Sequence, residues 1–214
     1  MKRFLTFAVS LALVCCMLFS SVVASAKTLC ESGMQMYDEG QYEAAMVLWN
    51  QAAKDGNADA MRSIGDLYQD GLGVQQDYAK ALEWYLKAAE LGNASAMFEI
   101  AWIYDNGFGV QQDYAKAMEW YLMAAELGNM YAMNNIGACY EDALGVQQDY
   151  AKAMEWYLMA AELGHALATK NLGDLYRDGL GVQQDYAKAR EWYEKAVVLG
   201  NERAAELLAE LEGK

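Results

Sequence analysis

The chain is predicted to be an all-α solenoid, a stack of antiparallel helix pairs. Three observations predict it. The nine residues Gly-Val-Gln-Gln-Asp-Tyr-Ala-Lys-Ala begin unchanged at Gly73, Gly109, Gly145 and Gly181, a spacing of 36 residues each time. A fixed period of this length marks a stacked repeat, in which one unit cannot bury its own apolar face and must lie on its neighbours. Between the copies, apolar residues recur at helical spacing, and the 214 residues include no proline, which suits a nearly all-helical chain. Such an array offers an extended surface rather than a closed pocket, so the expectation is binding and not catalysis.

The N-terminus stands apart from the array. Lys2 and Arg3 precede an uncharged, largely apolar run from Phe4 to Val23, followed by Ala24-Ser25-Ala26. This pattern predicts a secretory signal peptide over residues 1–26, cut after Ala26, and a periplasmic or secreted product. The alternative is a retained membrane anchor, for which the run is barely long enough. Val14 and Cys15 precede the two early cysteines where a lipoprotein signal needs a small residue, so lipidation is not expected. Without residues 1–26 the chain carries 14 Lys+Arg against 30 Asp+Glu. A surface at −16 repels nucleic acid and anionic lipid, and favours basic, neutral or apolar partners. No second apolar stretch is long enough for a membrane span. Cys30 and Cys139 lie three repeats apart, too far for a bridge in a solenoid, and Cys139 shares a column with Leu67, Ile103 and Leu175.

One period, Ala58 to Asn93, reads as two helices. Asn57 is placed to cap helix A, which runs to about Asp70 with Ala60, Ile64, Leu67 and Tyr68 inward. Gly65 permits close approach of the paired helix, and Gly71 supplies a left-handed terminating residue. Val74 tucks between the helices. Asp77 caps helix B, Tyr78 to about Leu91, whose buried stripe is Tyr78, Ala81, Tyr85, Ala88 and Ala89. The expected units are 58–93, 94–129, 130–165 and 166–201. A shorter pair over 27–57, with a loop five residues shorter, precedes them. A C-terminal capping helix over 202–214 follows, covering the last pair with Ala205, Leu208 and Leu211 and turning Glu202, Arg203, Glu206 and Glu210 to water.

The pattern carried by Ala60, Ile64, Gly65, Tyr68, Gly71, Gly73, Val74, Asp77, Lys80, Ala81, Trp84, Tyr85 and Ala88 resembles the Sel-one-like repeat family, a branch of the tetratricopeptide-like helical repeats. All four full units match. The resemblance implies a right-handed α-solenoid and a role as adaptor or scaffold. It also implies that the variable face of helix A lines the concave side. Some secreted bacterial relatives carry a cysteine pair in every repeat and are linked to cell-wall or β-lactam binding; this chain lacks those pairs.

Comparison among the repeats locates the variation. Helix B hardly changes. Four columns of helix A vary: Asp59/Ser95/Tyr131/Leu167, Arg62/Phe98/Asn134/Lys170, Asp66/Trp102/Ala138/Asp174 and Gln69/Asp105/Glu141/Arg177. They stand at i, i+3, i+7 and i+10, on one face. Phe98, Trp102 and Tyr131 are aromatics outside the aromatic columns, and are expected to form one patch there, because Tyr and Trp anchor interfaces. The alternative is local repacking of two helices. The candidate partner-binding residues are Arg62, Asp66, Phe98, Glu99, Trp102, Asp105, Tyr131, Asn134, Asn135 and Glu141.

On helix B, Leu82, Leu86, Met118, Leu122, Met123, Met154, Leu158 and Met159 are apolar where a solvent face is expected, against Arg190, Glu194 and Lys195 in the last repeat. Leu82, Met118 and Met154 are assigned to packing between units, and the rest to a candidate surface for weak self-association. No chemistry-bearing motif is present. His165, the only histidine, stands where other repeats place a capping Asn, and no His/Cys set has metal-ligand spacing. No cofactor is expected. The primary expectation is a non-enzymatic scaffold that holds a protein or peptide segment. The alternative is a cell-envelope glycan-binding accessory or hydrolase, which needs paired acids at the patch; Glu99 and Asp105 are its only support.

Overall fold

The computed structural model describes residues 22–211, and every regular element among them is a helix. α1 covers residues 22–38. It is followed by α2 (Tyr42–Lys54), α3 (Ala58–Asp70), α4 (Tyr78–Glu90), α5 (Ala94–Asn106), α6 (Tyr114–Glu126), α7 (Met130–Asp142), α8 (Tyr150–Glu162), α9 (Ala166–Asp178), α10 (Tyr186–Val198) and α11 (Glu202–Leu211). Residues 1–21 of the expected signal peptide lie outside this range. The expected cut site falls within α1, with Ala26 buried. The chain divides into two compact units, one ending at Ala96 and the other beginning at Met97.

Each helix pair is specified by short-range chemistry. Asn57 Oδ1 accepts from the Ala60 amide at 2.8 Å, and Asn93, Asn129 and Asn201 cap α5, α7 and α11 in the same way. Asp77, Asp113, Asp149 and Asp185 cap the B helices. Each side chain satisfies an amide that the helix leaves unpaired. The invariant nine residues find their reason in the connection. Val74 packs into the core of the first unit. The second glutamine of each copy donates from Nε2 to a carbonyl of the last turn of helix A: Gln76 to Gln69, Gln112 to Asp105, Gln148 to Glu141 and Gln184 to Arg177, each at 2.7 Å. The lysine lies over a helix-A tyrosine ring, as Lys80 does over Tyr68 at 5.3 Å.

The A and B helices meet where one of them lacks a side chain. A Cβ on Gly65 would stand 2.5 Å from the Tyr85 ring, and one on Gly137 2.6 Å from Tyr157. Within the first unit Ile64, Leu67 and Tyr85 are fully buried; each such aliphatic side chain contributes roughly 1.5–3 kcal/mol. The second unit buries Tyr121, Ile136, Cys139, Tyr157, Leu172 and Leu175 in one cluster. Cys139 is thus a small core residue with its thiol pushed up to about 12 by burial, and Cys30 and Cys139 are both free.

Three sequence-based expectations need correction. The connection between α1 and α2 is residues 39–41, four shorter than the seven residues after α3 and not five, and Asp38, expected in that loop, belongs to α1. In that pair Gly33 faces Trp49, whose indole Nε1 donates to the Cys30 carbonyl at 3.1 Å. Tyr68 and Tyr78 are only half-buried. α11 covers α10 with Ala204, Leu207 and Leu211, while Ala205 is exposed and Leu208 half-buried. The Asn201 cap starts the helix at Glu202 and sets its rotation, placing the small Ala204 inward rather than Ala205.

Candidate partner-binding surface

The helix-A face of the second unit gathers most of the expected site. Phe98, Glu99, Trp102 and Asp105 come from α5, and Tyr131, Asn134, Asn135 and Glu141 from α7. Phe98 and Tyr131 lie together, ring centroids 6.0 Å apart, and Phe98 also rests on Tyr121 at 5.8 Å. Tyr131 is 53% exposed, with His165 edge-on against it at 5.1 Å. Trp102, one turn further along α5, lies against Phe108 of the following loop at 4.8 Å. The three aromatics expected as one patch thus lie in two ring groups, Phe98 with Tyr131, Tyr121 and His165, and Trp102 with Phe108. Arg62 and Asp66 stand in the first unit and form an ion pair with each other.

The variable acids have a structural task. Tyr85 donates its hydroxyl to Asp66 at 2.9 Å, and Tyr193 to Asp174 at 2.7 Å. Where that column holds Trp102 and Ala138, the acid appears one turn later: Tyr121 donates to Asp105 at 3.0 Å and Tyr157 to Glu141 at 2.7 Å. Every full repeat thus gives its buried tyrosine hydroxyl a carboxylate, as a buried polar group requires. The two columns vary in opposition, and that opposition was the available sequence signal. Burial is the main cause that raises both the hydroxyls of Tyr121, Tyr157 and Tyr193 and the carboxyls of Asp66 and Asp105 above their ordinary values.

The electrostatic surroundings of these acids differ. Asp66 is paired with Arg62, while Asp174 is held by Lys170 at 2.8 Å and Arg177 at 3.1 Å. Among the described residues no cation pairs with Asp105 or Glu141. The chemistry available on this face of 94–165 is therefore aromatic and anionic: an exposed phenol on a packed ring cluster, with two carboxylates whose charge is not cancelled.

Asn134 does not belong to that surface. It is 6% exposed, donating to Asn135 Oδ1 at 3.1 Å and accepting from Asn171 at 3.3 Å. The column that holds Arg62 and Phe98 is half-buried in those repeats, so a short amide there is drawn into the contact between α7 and α9. Asn135 donates to the Tyr121 hydroxyl at 2.9 Å and is likewise a structural residue. His165 accepts through Nδ1 from the Ala168 amide at 3.1 Å and so caps α9, and burial pushes its pKa below the ordinary value.

Among the described residues no group of His, Cys, Asp and Glu is placed to hold a metal ion, and no helix is long and apolar enough to cross a membrane. Several apolar residues on the B helices and at their C-caps are exposed. Leu122, Met123 and Met159 are each 37% exposed, and Leu127 and Leu163 are 54% and 52% exposed. Leu82, Met154 and Leu158 are half-buried and Met118 is buried, in keeping with a packing role for Leu82, Met118 and Met154.

Comparison with known proteins agrees with this geometry. The Sel1 repeat model matches residues 58–93, 94–129, 131–165 and 166–201. A Sel1 repeat protein of Oxalobacter formigenes is 35% identical over 88% of this chain and 79% of its own, with a TM-score of 0.81. A protective antigen of uropathogenic Escherichia coli with the same repeat fold is 35% identical over 86% of this chain and 40% of its own, at a TM-score of 0.78. An immunity protein of Pseudomonas aeruginosa is 25% identical over 85% of this chain and 67% of its own, at 0.59. Among curated proteins none matches. Four matched units of one pattern, joined by the same caps and glutamine ties, make this chain a member of the Sel1 repeat family.

Proposed function

We propose that the protein is a non-enzymatic scaffold, exported from the cell, that holds a protein or peptide segment on the helix-A face of residues 94–141. One observation carries the reading: the exposed Tyr131, resting on half-buried Phe98, and the half-buried Trp102–Phe108 pair share this region with Asp105 and Glu141, with which no cation among the described residues pairs. Buried aromatic anchors supply affinity, and uncancelled charge supplies orientation and a preference for basic segments. Arg62 and Asp66, already paired, are not needed for it. Asp105 is engaged by Tyr121, which weakens the alternative of a glycan hydrolase built on Glu99 and Asp105. Export rests on the sequence of residues 1–26, and mass spectrometry of the product is expected to find Lys27 at its N-terminus.

The test is capture from cell-envelope extract with the tagged chain, followed by identification of what is retained. Trp102→Ala and Tyr131→Ala are expected to lose the captured partner while helicity is kept, and Gln183→Ala, on an exposed loop, is expected to retain it. Undiminished capture by folded Trp102→Ala and Tyr131→Ala proteins would remove this face from consideration.

A further inference from the structure

A second surface, independent of the one above, lies on the B helices of the same two repeats. α6 and α8 both pack into the core around α7, through Tyr121 and Tyr157 among others. What they leave outside is unusual in composition. On α6 and its C-cap the residues Glu119, Leu122, Met123, Glu126 and Leu127 are all exposed and stand at i, i+3, i+4, i+7 and i+8, along one face. α8 and its C-cap repeat the pattern with Glu155, Met159, Glu162 and Leu163 exposed. Leucine and methionine are interleaved with carboxylates, and no basic residue falls within either series.

The equivalent place in the flanking repeats is built differently. Lys87 sits over the Trp84 ring at 4.0 Å, and Lys195 over Trp192 at 3.9 Å. A cation over an indole face is favourable and shields the ring from other partners. In the middle repeats the lysine is replaced by Met123 and Met159. Trp120 and Trp156, three residues before them, are half-buried, and no cation among the described residues lies over either ring.

We propose that this face binds a cationic amphipathic helix, its apolar side against Leu122, Met123 and Met159 and its Lys or Arg side chains against Glu119, Glu126, Glu155 and Glu162. Methionine adapts to varied apolar shapes, and an amphipathic helix read at i, i+3, i+4 and i+7 matches such a face. Charge decides among the occupants. A second copy of this face would set its glutamates against like glutamates, and anionic lipid is repelled for the same reason, whereas a basic helix satisfies both components.

The flanking repeats supply the variant. Met123→Lys with Met159→Lys places in the middle repeats the residue that Lys87 and Lys195 already show to be compatible with the fold. The probe is a synthetic Leu/Lys amphipathic helix of about 18 residues, long enough for roughly five turns, with a Leu/Glu helix of the same pattern as its charge-reversed counterpart. Titration by fluorescence anisotropy is expected to show binding of the Leu/Lys helix that weakens at least about tenfold between about 50 mM and about 500 mM NaCl, and no binding of the Leu/Glu helix. The double lysine variant, with unchanged circular dichroism, is expected to bind about tenfold more weakly or worse, and Trp102→Ala to bind as the parent does. Equal binding by parent and double variant, or equal binding of both helices, would overturn the inference. Binding lost in Trp102→Ala but kept in the double variant would assign the peptide to the helix-A face, supporting the proposed function and overturning this one. A dimer of the parent that dissociates in the double variant would make a second copy the occupant.

Discussion

The two middle repeats, 94–129 and 130–165, and the two that flank them, 58–93 and 166–201, repeat the same core pattern and differ on their surfaces. All four place a buried tyrosine of helix B on a small residue of helix A, Gly65, Ala101, Gly137 or Gly173. All four give that tyrosine a carboxylate. In the flanking repeats the carboxylate is ion-paired and the outer tryptophan carries a lysine. In the middle repeats both sets of cations are missing, and aromatic, methionine and uncancelled acidic side chains take their place. Each middle repeat has one basic residue, and 166–201 has five. The difference teaches that repeats equal in fold can differ in the charge of their surfaces, and the proposed function assigns binding to the middle pair.

That division can be broken most directly at the shared core. Gly137→Leu in a middle repeat and Gly173→Leu in a flanking one force a branched side chain onto Tyr157 and Tyr193. Each is expected to cost about 3 kcal/mol, the upper end for overpacking, because a Cβ alone would stand 2.6 Å and 2.4 Å from those rings. Chemical denaturation measures both. Markedly unequal losses would show that the cores differ as well as the surfaces.

Asn134→Ala should cost about 1–2 kcal/mol, since it strands the Asn171 amide and removes a buried hydrogen-bonded group. Lys170→Ala, at the same place in the flanking repeat, should cost less than about 1 kcal/mol, because Arg177 remains on Asp174. A larger loss for Lys170→Ala, in the same denaturation measurement, would reverse the roles assigned to the column.

A third test uses the junction between the two kinds of repeat. His165 caps α9 only when Nδ1 is unprotonated, and burial lowers its pKa below 6.5 in the folded chain. The unfolded chain therefore binds the proton more readily. The contribution is complete above about 6.5, falls as pH drops from there through the lowered folded value, and is level below it. His165→Asn, the residue of the other caps, is expected to keep the cap, worth about 1 kcal/mol, and to remove that pH dependence from the melting temperature. An unchanged pH profile would mean that the imidazole does not carry the cap.

The smallest effect is expected at Ala143. It ends α7 at φ 60°, where Gly71 and Gly179 end α3 and α9. A left-handed alanine costs roughly 1 kcal/mol, so Ala143→Gly should raise stability by up to about that amount. Calorimetry showing a loss would indicate a compensating contact by the methyl group.

Much of this architecture was legible because it is local. Caps, terminating glycines and the inward columns Ala60, Ile64 and Leu67 follow from spacing alone, and the structure has them where the spacing places them. The site was less legible because variation was taken as freedom. Asp105 and Glu141 vary against Trp102 and Ala138 because a hydroxyl must be satisfied from either of two successive turns, a constraint that crosses between helices. Asn134 was misjudged for a related reason: its neighbour Asn171 comes from the next repeat, and no spacing within one helix shows it. The rotation of α11 followed its cap and not its leucine pattern, since Leu207 and Leu208 offer two registers.

The glutamine ties have a consequence for the history of the chain. Each runs from a motif residue to a backbone carbonyl, so it does not depend on which side chain helix A carries at that point. The nine residues from Gly109 are identical to those from Gly145. A recombination event within them would delete or duplicate one whole period in frame, leaving the motif at the seam unaltered and its tie, loop valine and cap with the same partners to find. The number of repeats is thus a quantity that a single genetic exchange can change without first breaking the fold, and with it the number of middle members that carry the aromatic and acidic surface.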